Sequence, residues 1–282
     1  MALRRFVITG ATSGIGLATA RELARRGAAL VLACRNMEKA ARVRDELATF
    51  APVDVVRLDL ASLASVRECA GEIASAHESV DVLVNNAGVF SMMRQETPDG
   101  FELTIGVNHL GPFLFTHLLV PLLRCGDRAR IVNVASAAYR YGRLDLADLQ
   151  RTRWGSNVGW AGFRAYAASR LATVLFTREL ARRLEPDRIT ANSVHPGHVD
   201  TSIFPEAPGV MGVMMRFSSR FRIPAADGAG PVVRLATDDS LAEVTGEYFN
   251  RFSREDVPAR IADPGMQARL WGTSAALTGV DG

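Results

Sequence analysis

The alternation of short apolar runs with longer helical patterns constrains the fold of this 282-residue chain more than any other feature. The apolar runs are rich in β-branched residues and nearly continuous, as is typical of strands covered on both faces. We predict six strands, at 6–9, 30–33, 53–58, 81–85, 130–136 and 189–196. Amphipathic helices are predicted between them, for example at 16–27 and 61–77. This order predicts one α/β domain with a parallel sheet and helices on both faces.

Composition excludes several classes of protein. Hydrophobic residues make up 48% of the chain, which is enough for a large core, and the net charge of +3 is not gathered into the basic stripe that nucleic-acid binding needs. Three cysteines without a CxxC pair predict free thiols in a reducing compartment. The first strand-like run begins at residue 4, and the apolar run 110–123 is short for a bilayer span. We therefore expect a cytoplasmic protein without a membrane anchor.

The stretch "TGATSGIG" (9–16) joins the first predicted strand to the first predicted helix. Its first glycine permits a tight turn, and the next two let backbone and helix approach a pyrophosphate closely. The helix N-terminus adds amide hydrogens and partial positive charge for the phosphates. We assign cofactor binding in this loop to Gly10, Ser13, Gly14, Ile15 and Gly16.

The end of the second strand predicts which nicotinamide cofactor the chain prefers. NAD sites usually place an acid there for the ribose 2′-hydroxyl, whereas NADP sites use an arginine for the 2′-phosphate. The sequence "LACRN" has Arg35 and Asn36 at this point and no acid before Glu38. We therefore predict NADP(H); the alternative is that Arg35 is a solvated residue at a helix start.

Two longer segments interrupt the alternation, at 139–163 and 200–224. Both follow the carboxyl ends of strands, where open α/β sheets bind their ligands. The second is rich in methionine and phenylalanine and is predicted to be a substrate-binding loop for an apolar molecule. Its apolar side chains could instead pack a helix onto the sheet. They are Phe204, Met211, Met214, Met215, Phe217 and Phe221.

The motifs together resemble the short-chain dehydrogenase/reductase family, and within it the retinol-dehydrogenase-like and WW-domain-oxidoreductase-like branch. The likeness covers essentially the whole chain. It implies one Rossmann-type doubly wound domain over residues 1–282, with a seven-stranded parallel sheet. The motifs that carry it are "VITGATSGIG", "LACRN", "LDLAS", "LVNNAG", "GVNHLGPF", "RIVNVAS", "FTRELARRL", "HPG", "LATDD" and "LWGTSAALTG".

The resemblance also implies a catalytic set: Asn108, Ser136, Tyr166 and the residue four after the tyrosine, which is lysine in the family and Arg170 here. Tyr166 and Arg170 are spaced to share one face of a helix. Both are also expected to contact the cofactor. The same matching places Asp59 and Leu60 by the adenine, Asn86 near the adenosine ribose and Thr201 near the carboxamide.

These residues predict reduction of a carbonyl, or oxidation of the alcohol, by hydride transfer, with Tyr166 as proton donor and Ser136 polarising the oxygen. A neighbouring cation favours the phenolate form of a tyrosine. Arg170 can supply that charge and bind ribose, but a guanidinium does not release a proton at physiological pH, so it cannot pass protons as a lysine can. Water held by Asn108 could supply another route, although an asparagine there could also simply stabilise a helix kink.

Arginine at this position keeps other functions open. The same cleft could support isomerisation, cyclisation or elimination, or could bind NADPH without turnover. The resemblance suggests retinoid or steroid-like substrates, and a secondary-metabolite ketone fits equally well. His109, His117, His195 and His198 lack metal-ligand spacing, so no metal is predicted, and His198 is a spare proton-transfer candidate. A homodimer through the helices at 99–123 and around Tyr166 is favoured, although the apolar face at 171–176 could instead cover the sheet.

Overall fold

The computed structural model describes residues 3–150, 158–199 and 223–281. Their strands form one sheet in the order β3-β2-β1-β4-β5-β6-β7-β8. The bounds are β1 Arg5–Thr9, β2 Ala29–Cys34, β3 Val53–Arg57, β4 Val82–Asn85, β5 Arg130–Val134, β6 Thr190–His195, β7 Tyr248–Asn250 and β8 Ser253–Glu255. The first seven strands are parallel, so the predicted doubly wound sheet is confirmed.

The described sheet differs from the expectation of seven strands by one short strand at its edge. β8 pairs with β7 in antiparallel orientation, joined by a tight turn in which Arg251 has a φ of +55°. Each of these strands has only three residues. Runs that short carry little periodicity, so neither was among the six strands that the apolar pattern predicts.

Helices cover both faces of the sheet. They are α1 Gly14–Arg25, α2 Met37–Leu47, α3 Leu63–Ala76, α4 Leu103–Ile105, α5 Gly111–Arg124, α6 Val158–Leu184, α7 Ala225–Thr237, α8 Ala259–Ala262 and α9 Pro264–Thr278. Short 3-10 helices span Ala137–Tyr141 and Leu146–Asp148. The predicted insertion at 139–163 is therefore shorter than expected, because α6 already begins at Val158.

The core lies in two layers because neighbouring residues of a strand point to opposite faces. On one face, Val7 and Leu83 pack in the cluster that includes α3, α5 and α6 residues. On the other, Ile8 and Val84 pack with residues of α1, α2 and α7. Burial on both faces explains why the strands read as continuous apolar runs rather than as alternating ones.

A π-helical turn, Gly106–Leu110, lies between α4 and α5 and makes Leu103–Arg124 one helical run. By length and composition alone this run could cross a membrane, but 78% of its most apolar stretch is buried inside the protein. That burial is typical of a core helix. The apolar residues 171–176 of α6 are also buried within the single chain.

The C-terminal helix α9 covers part of α5 and α6. Its Trp271 packs edge-on against Phe113, with ring centroids 4.9 Å apart, and stacks on Phe176 at 5.9 Å. Arg183 of α6 lies over the same indole, 4.3 Å from its centroid. These contacts bury the face that was considered for a homodimer, so in this structure it packs within the chain. The homodimer itself stays a prediction.

Candidate active site

The glycine loop has a backbone that favours glycine at its tightest points. Gly10 has a φ of +70° and Gly14 of +54°, both in the left-handed region. A Cβ atom on Gly16 would lie 2.4 Å from Asn86 Nδ2 and 2.5 Å from the Gly10 carbonyl oxygen. The loop is therefore closed tightly against the end of β4, which keeps the start of α1 clear of side chains.

Asn86 and Thr9 hold the loop against the sheet. Asn86 Nδ2 donates to the carbonyls of Thr9, at 2.9 Å, and of Gly10, at 3.3 Å. Thr9 Oγ1 accepts from the backbone amides of Asn86 and Ala87, each at 3.0 Å. The side-chain nitrogen of Asn86 thus holds the loop in place. Contact of Asn86 with the ribose stays a prediction, and it would have to be made by the side-chain oxygen. Thr9 was missed because a threonine at a strand end has no distinctive sequence signal.

The N-terminus of α1 fits a pyrophosphate. Ser13, its cap residue, has extended backbone and makes no side-chain cap, and the first turn contains no acidic residue. The early amides of the helix therefore face no competing carboxylate from that turn, and the helix dipole adds positive potential. Gly14, Ile15 and Gly16 supply these amides. This donor set fits the phosphates of a dinucleotide.

The residues assigned to the adenosine end lie just beyond β2 and β3. Arg35 is exposed, and Asn36 caps α2 by accepting from the Lys39 amide at 2.9 Å. Asp59 Oδ1 accepts from the Ala61 amide at 3.0 Å, and Leu60 is buried. Asn36 and Asp59 therefore form turns beside the glycine loop, while Arg35 reaches solvent.

Tyr166 and Arg170 lie inside the protein on α6, one turn apart. Tyr166 is 6% and Arg170 3% exposed. The guanidinium carbon of Arg170 lies 5.1 Å from the centroid of the Tyr166 ring, and Phe90 contacts the same ring edge-on at 5.6 Å. The predicted pairing of a phenol with a fixed positive charge is therefore present.

The Arg170 guanidinium occupies a space that a glycine provides. Its Nη1 donates to the Val134 carbonyl at the end of β5, at 3.1 Å. A Cβ atom on Gly88 would lie 2.2 Å from Nη2 and 3.3 Å from the guanidinium carbon. Nε is buried without a hydrogen-bond partner, and no carboxylate forms an ion pair with Arg170 among the residues that the structure describes. The buried guanidinium therefore has N–H groups that can donate hydrogen bonds to a ligand, as a binding site for the nicotinamide ribose requires.

Both the oxygen and the nitrogen of the Asn108 side-chain amide are hydrogen-bonded within the protein. Its Oδ1 accepts from the Val89 amide at 2.7 Å, and its Nδ2 donates to the Val89 carbonyl at 2.9 Å and to Ser169 Oγ at 3.0 Å. Ser169 Oγ in turn donates to the Tyr166 carbonyl at 2.8 Å. Asn108 therefore ties the π turn to the strand end and to α6, as expected of a residue that stabilises a helix kink.

Ser136 follows β5 and caps the 3-10 helix Ala137–Tyr141. Its Oγ accepts from the Ala138 amide at 3.2 Å, and this 3-10 helix packs against α6. The cap orients the serine at the carboxyl end of the sheet, where the glycine loop, Gly88 and Arg170 also lie. Ser136 can therefore cap the 3-10 helix and still serve as the predicted group that polarises the substrate oxygen.

Of the four candidate histidines, two are buried, one (His117) is half-buried and one is exposed. His109 is buried, its Nε2 shares a 2.7 Å hydrogen bond with Ser274 Oγ, and burial lowers its pKa to about 3. His195 is also buried, whereas His198 is exposed. The structure gathers no metal-binding group of His, Cys, Asp and Glu side chains within residues 3–150, 158–199 and 223–281.

A cavity of about 380 Å³ lies on another side of α6, and no predicted site residue lines it. Its walls are formed by Ile105, Arg143, Leu144, Asp145, Asp148, Leu149, Ala165 and Ala168. Thr201 and the methionine-rich part of the predicted substrate loop fall outside the described residues, and only its end, Ile223 and Pro224, is described. Ile223 forms a β-bridge with Val199, so this end of the loop lies beside the segment that follows His195 at the end of β6.

Comparison with known proteins agrees with this site. The family model "short chain dehydrogenase" matches residues 4–147 and 154–208. Human "Retinol dehydrogenase 13" is 40% identical over 98% of this chain and 84% of its own length. "Dehydrogenase/reductase SDR family member 13" from Bos taurus is 42% identical over 98% and 74%.

Among solved structures, an uncharacterised Mycobacterium paratuberculosis protein aligns with a TM-score of 0.79 and 35% identity over 99% of this chain and 95% of its own. A Burkholderia cenocepacia short-chain dehydrogenase in complex with NADP aligns at 0.69 and 29% identity over 88% and 95%. The glycine loop and the Ser136, Tyr166 and Arg170 positions lie within the matched residues. The chain therefore belongs to the short-chain dehydrogenase/reductase family, in its retinol-dehydrogenase-like branch, and is an oxidoreductase for a nicotinamide cofactor.

Proposed function

We propose that this protein is an NADPH-dependent reductase, or in reverse a dehydrogenase, for an apolar carbonyl or alcohol substrate. The observation that carries the proposal is the buried pair of Tyr166 and Arg170, with guanidinium carbon and ring centroid 5.1 Å apart. Arg170 donates to the Val134 carbonyl at the end of β5, at the same carboxyl edge of the sheet as the glycine loop that follows β1. Hydride donor and proton donor can therefore meet one substrate.

The residues of this chain divide the work as follows. Gly10, Gly14 and Gly16 hold the pyrophosphate at the start of α1, and Arg170 holds the nicotinamide ribose. When bound, the reduced nicotinamide supplies the hydride to the carbonyl carbon. Tyr166 gives its phenolic proton to the carbonyl oxygen, which Ser136 polarises by a hydrogen bond. The guanidinium then stabilises the phenolate that is left.

Arg35 supports the choice of NADPH. It is the first residue beyond β2, it is exposed, and the next acid along the chain, Glu38, pairs with Arg42. Its guanidinium is thus available to a 2′-phosphate. Two solved relatives, the Burkholderia cenocepacia protein and a metagenomic blue fluorescent protein, are described in complex with NADP and with NADPH.

An apolar substrate is supported by several relatives that are named as retinol dehydrogenases. The methionine and phenylalanine residues at 204–221 are proposed to contact it. We further propose that the protein works in the cytoplasm. We also propose a homodimer, which would form through a face other than the one that α9 covers.

The test mixes purified protein with NADPH and a panel of apolar ketones and aldehydes, and follows absorbance of the reduced nicotinamide. We expect oxidation of NADPH, and a loss of about 100-fold or more in kcat for Tyr166→Phe. Tyr141→Phe is the matched control because Tyr141 is 72% exposed. Substrate conversion with NADPH unchanged would favour isomerase, cyclase or dehydratase chemistry. Tight NADPH binding with no conversion of any substrate would favour a binding protein.

A second experiment tests the cofactor preference. Arg35→Gln should raise the KM for NADPH about tenfold and leave the KM for NADH nearly unchanged, because only NADPH has the 2′-phosphate. Lys39→Gln removes the same charge from an exposed position one turn further along. Equal changes in both variants would show that Arg35 acts only through general charge and would contradict its role in selection.

A further inference from the structure

Three buried polar atoms near the Ser136 turn have no hydrogen-bond partner among the residues that the structure describes. They are the hydroxyl of Tyr139, the hydroxyl of Tyr248 and Nδ1 of His195. Their residues are 0%, 1% and 7% exposed. A buried polar group without a hydrogen bond costs about 1–3 kcal/mol, so three such atoms in one region require an explanation.

The three side chains come from neighbouring elements. The rings of Tyr139 and Tyr248 lie 4.6 Å apart. Tyr248 pairs with Ser193 in the sheet, and His195 lies two residues further along β6, so His195 and Tyr248 point to the same face. Tyr139 lies on the 3-10 helix that Ser136 caps, and its amide donates to the Ser136 carbonyl at 3.0 Å. The group therefore adjoins a predicted catalytic residue.

One side of the group reaches solvent. The His195 ring lies 5.7 Å from that of His198, which is exposed. The charged groups around it are Arg140, Arg251 and Glu255; Glu255 is held by an ion pair with Arg140 and by Asn250 Nδ2, which donates to it at 2.7 Å. Burial first, and then His198, lower the pKa of His195 to about 4. The imidazole is therefore neutral at pH 7 and has one nitrogen that donates and one that accepts.

We propose that Tyr139, Tyr248 and His195 enclose an internal water site, and that this site returns the proton which Tyr166 loses in each turnover. The relay part rests on the proposed function. Hydroxyl, water and neutral imidazole can each accept one proton while giving up another. One proton enters from solvent beside His198, one passes along each member in turn, and one leaves through Ser136 to the Tyr166 phenolate, so no member changes its net charge.

Arg170 and Asn108 are the reason to seek this route. A guanidinium does not give up its proton at physiological pH, and the Asn108 amide is occupied by Val89 and Ser169. Arg170 therefore cannot exchange protons in the way that a lysine can, whereas the Ser136 side has three groups that can. Internal waters typically make about three hydrogen bonds to buried polar groups, the number of atoms found here.

The relay is tested by comparing a single turnover with continuous turnover. In the double variant Tyr139→Phe/Tyr248→Phe, the rate of NADPH oxidation in a single turnover should stay within about twofold of the wild type, because Tyr166 begins protonated. The steady-state kcat should fall about tenfold and recover as imidazole buffer is added. Tyr141→Phe is the matched control. An unchanged kcat, or an equal fall in both rates, would overturn the relay.

The water site is tested separately, by urea unfolding of Tyr139→Phe and Tyr248→Phe. If water satisfies the hydroxyls, removing either one should lower the urea midpoint, because a hydrogen bond is lost. Dry, unsatisfied hydroxyls would leave the midpoint unchanged or raise it, and that result would overturn the site. If the wild type oxidises no NADPH at all, the proposed function fails and the relay with it, while the urea midpoints still decide the water site.

Discussion

Helix α6 carries two buried charges, Arg170 and Glu179, in opposite kinds of surroundings. Glu179 is 0% exposed and accepts from Arg182 at 2.6 Å and from Arg183 at 2.8 Å. Burial raises the pKa of this carboxyl, but the two arginines outweigh burial and hold it below its usual range. Arg170 is 3% exposed, and its only hydrogen-bond acceptor within the described part of the chain is the Val134 carbonyl.

This difference separates a charge that serves the fold from a charge that serves a ligand. An unpaired buried ion destabilises a protein, so it persists where a bound molecule or a reaction needs it. The charge of Glu179 is neutralised by ion pairs with two neighbouring arginines, whereas the charge of Arg170 depends on a ligand that binds beside it. Substitutions at the two positions should therefore affect different properties.

The largest effect is expected from Arg170→Met, which keeps an unbranched apolar chain in place of the arginine stem and removes the guanidinium with its charge. The reductase kcat should fall about 100-fold, because the phenolate of Tyr166 loses its stabilising cation. The free energy of unfolding without cofactor should stay constant or rise by about 1 kcal/mol, because a desolvated charge has gone. Activity assays and urea titrations of the apoprotein measure both. A stability loss above about 2 kcal/mol would show that Arg170 is structural after all.

His109 extends the comparison to a buried group that stays neutral. Its folded pKa of about 3 lies below the unfolded value of 6.5, so the unfolded chain binds more protons between these values. Stability is therefore lost as the pH falls below about 6.5, by about 2 kcal/mol from this residue between pH 7 and 5. Urea titrations at both pH values should show a smaller loss for His109→Gln than for the wild type. The exposed His198→Gln should follow the wild type, and identical pH dependence in all three proteins would contradict the assignment.

Gly88 sharpens the account of Arg170 because its missing side chain leaves room for the guanidinium. Gly88→Ala should lower kcat/KM strongly in the wild type and about tenfold less in an Arg170→Lys background, because the ammonium lacks the Nη2 atom. A double-mutant cycle on steady-state rates measures this coupling. Additive effects would mean that Gly88 serves the cofactor or the backbone alone. Arg170→Lys by itself shows whether arginine merely impairs proton transfer, in which case the rate rises, or whether the site is built for it, in which case the rate falls.

The smallest effect is expected from Glu179→Gln, which keeps the shape and removes the charge. Stability at pH 7 should fall by about 1 kcal/mol, with kcat unchanged. Because the folded pKa is lowered, the contribution of Glu179 is present above about pH 4.5 and is lost as the pH falls through the folded pKa. The difference between wild type and variant in thermal unfolding should therefore disappear at acid pH. A large fall in kcat with unchanged stability would reverse the comparison of the two charges.

Much of the fold was predictable because local signals and tertiary packing agree. Six strand predictions coincide with β1–β6 to within about two residues at each end. The glycine loop has the left-handed glycines that its motif predicts, and Tyr166 and Arg170 lie side by side as their spacing predicts, while their roles stay predictions. The prediction did not include β7 and β8, whose three-residue length leaves no period to read, and it extended the insertion at 139–163 into a helix.

Other parts of the site could not be predicted because they depend on residues far apart in the chain. Ser169 was not singled out, although it lies between Tyr166 and Arg170 in the sequence, and its hydrogen bond to Asn108 spans 61 positions. Likewise, no local pattern shows that Gly88 must lack a side chain to admit Arg170. Asn86 was assigned to the ribose, and only the coordinates show that its amide nitrogen is committed to the loop.

The sequence by itself determined the order of strands and helices, the phosphate-binding turn and the exchange of lysine for arginine, because these depend on neighbours within a few residues. Only the tertiary structure decided that the guanidinium is buried without a carboxylate partner in the described chain, that both ends of the Asn108 amide are hydrogen-bonded, and that buried polar atoms of Tyr139, Tyr248 and His195 have no partner among the described residues. Burial and hydrogen-bond saturation are properties of the space between elements. They are set when the sheet brings distant residues to one edge.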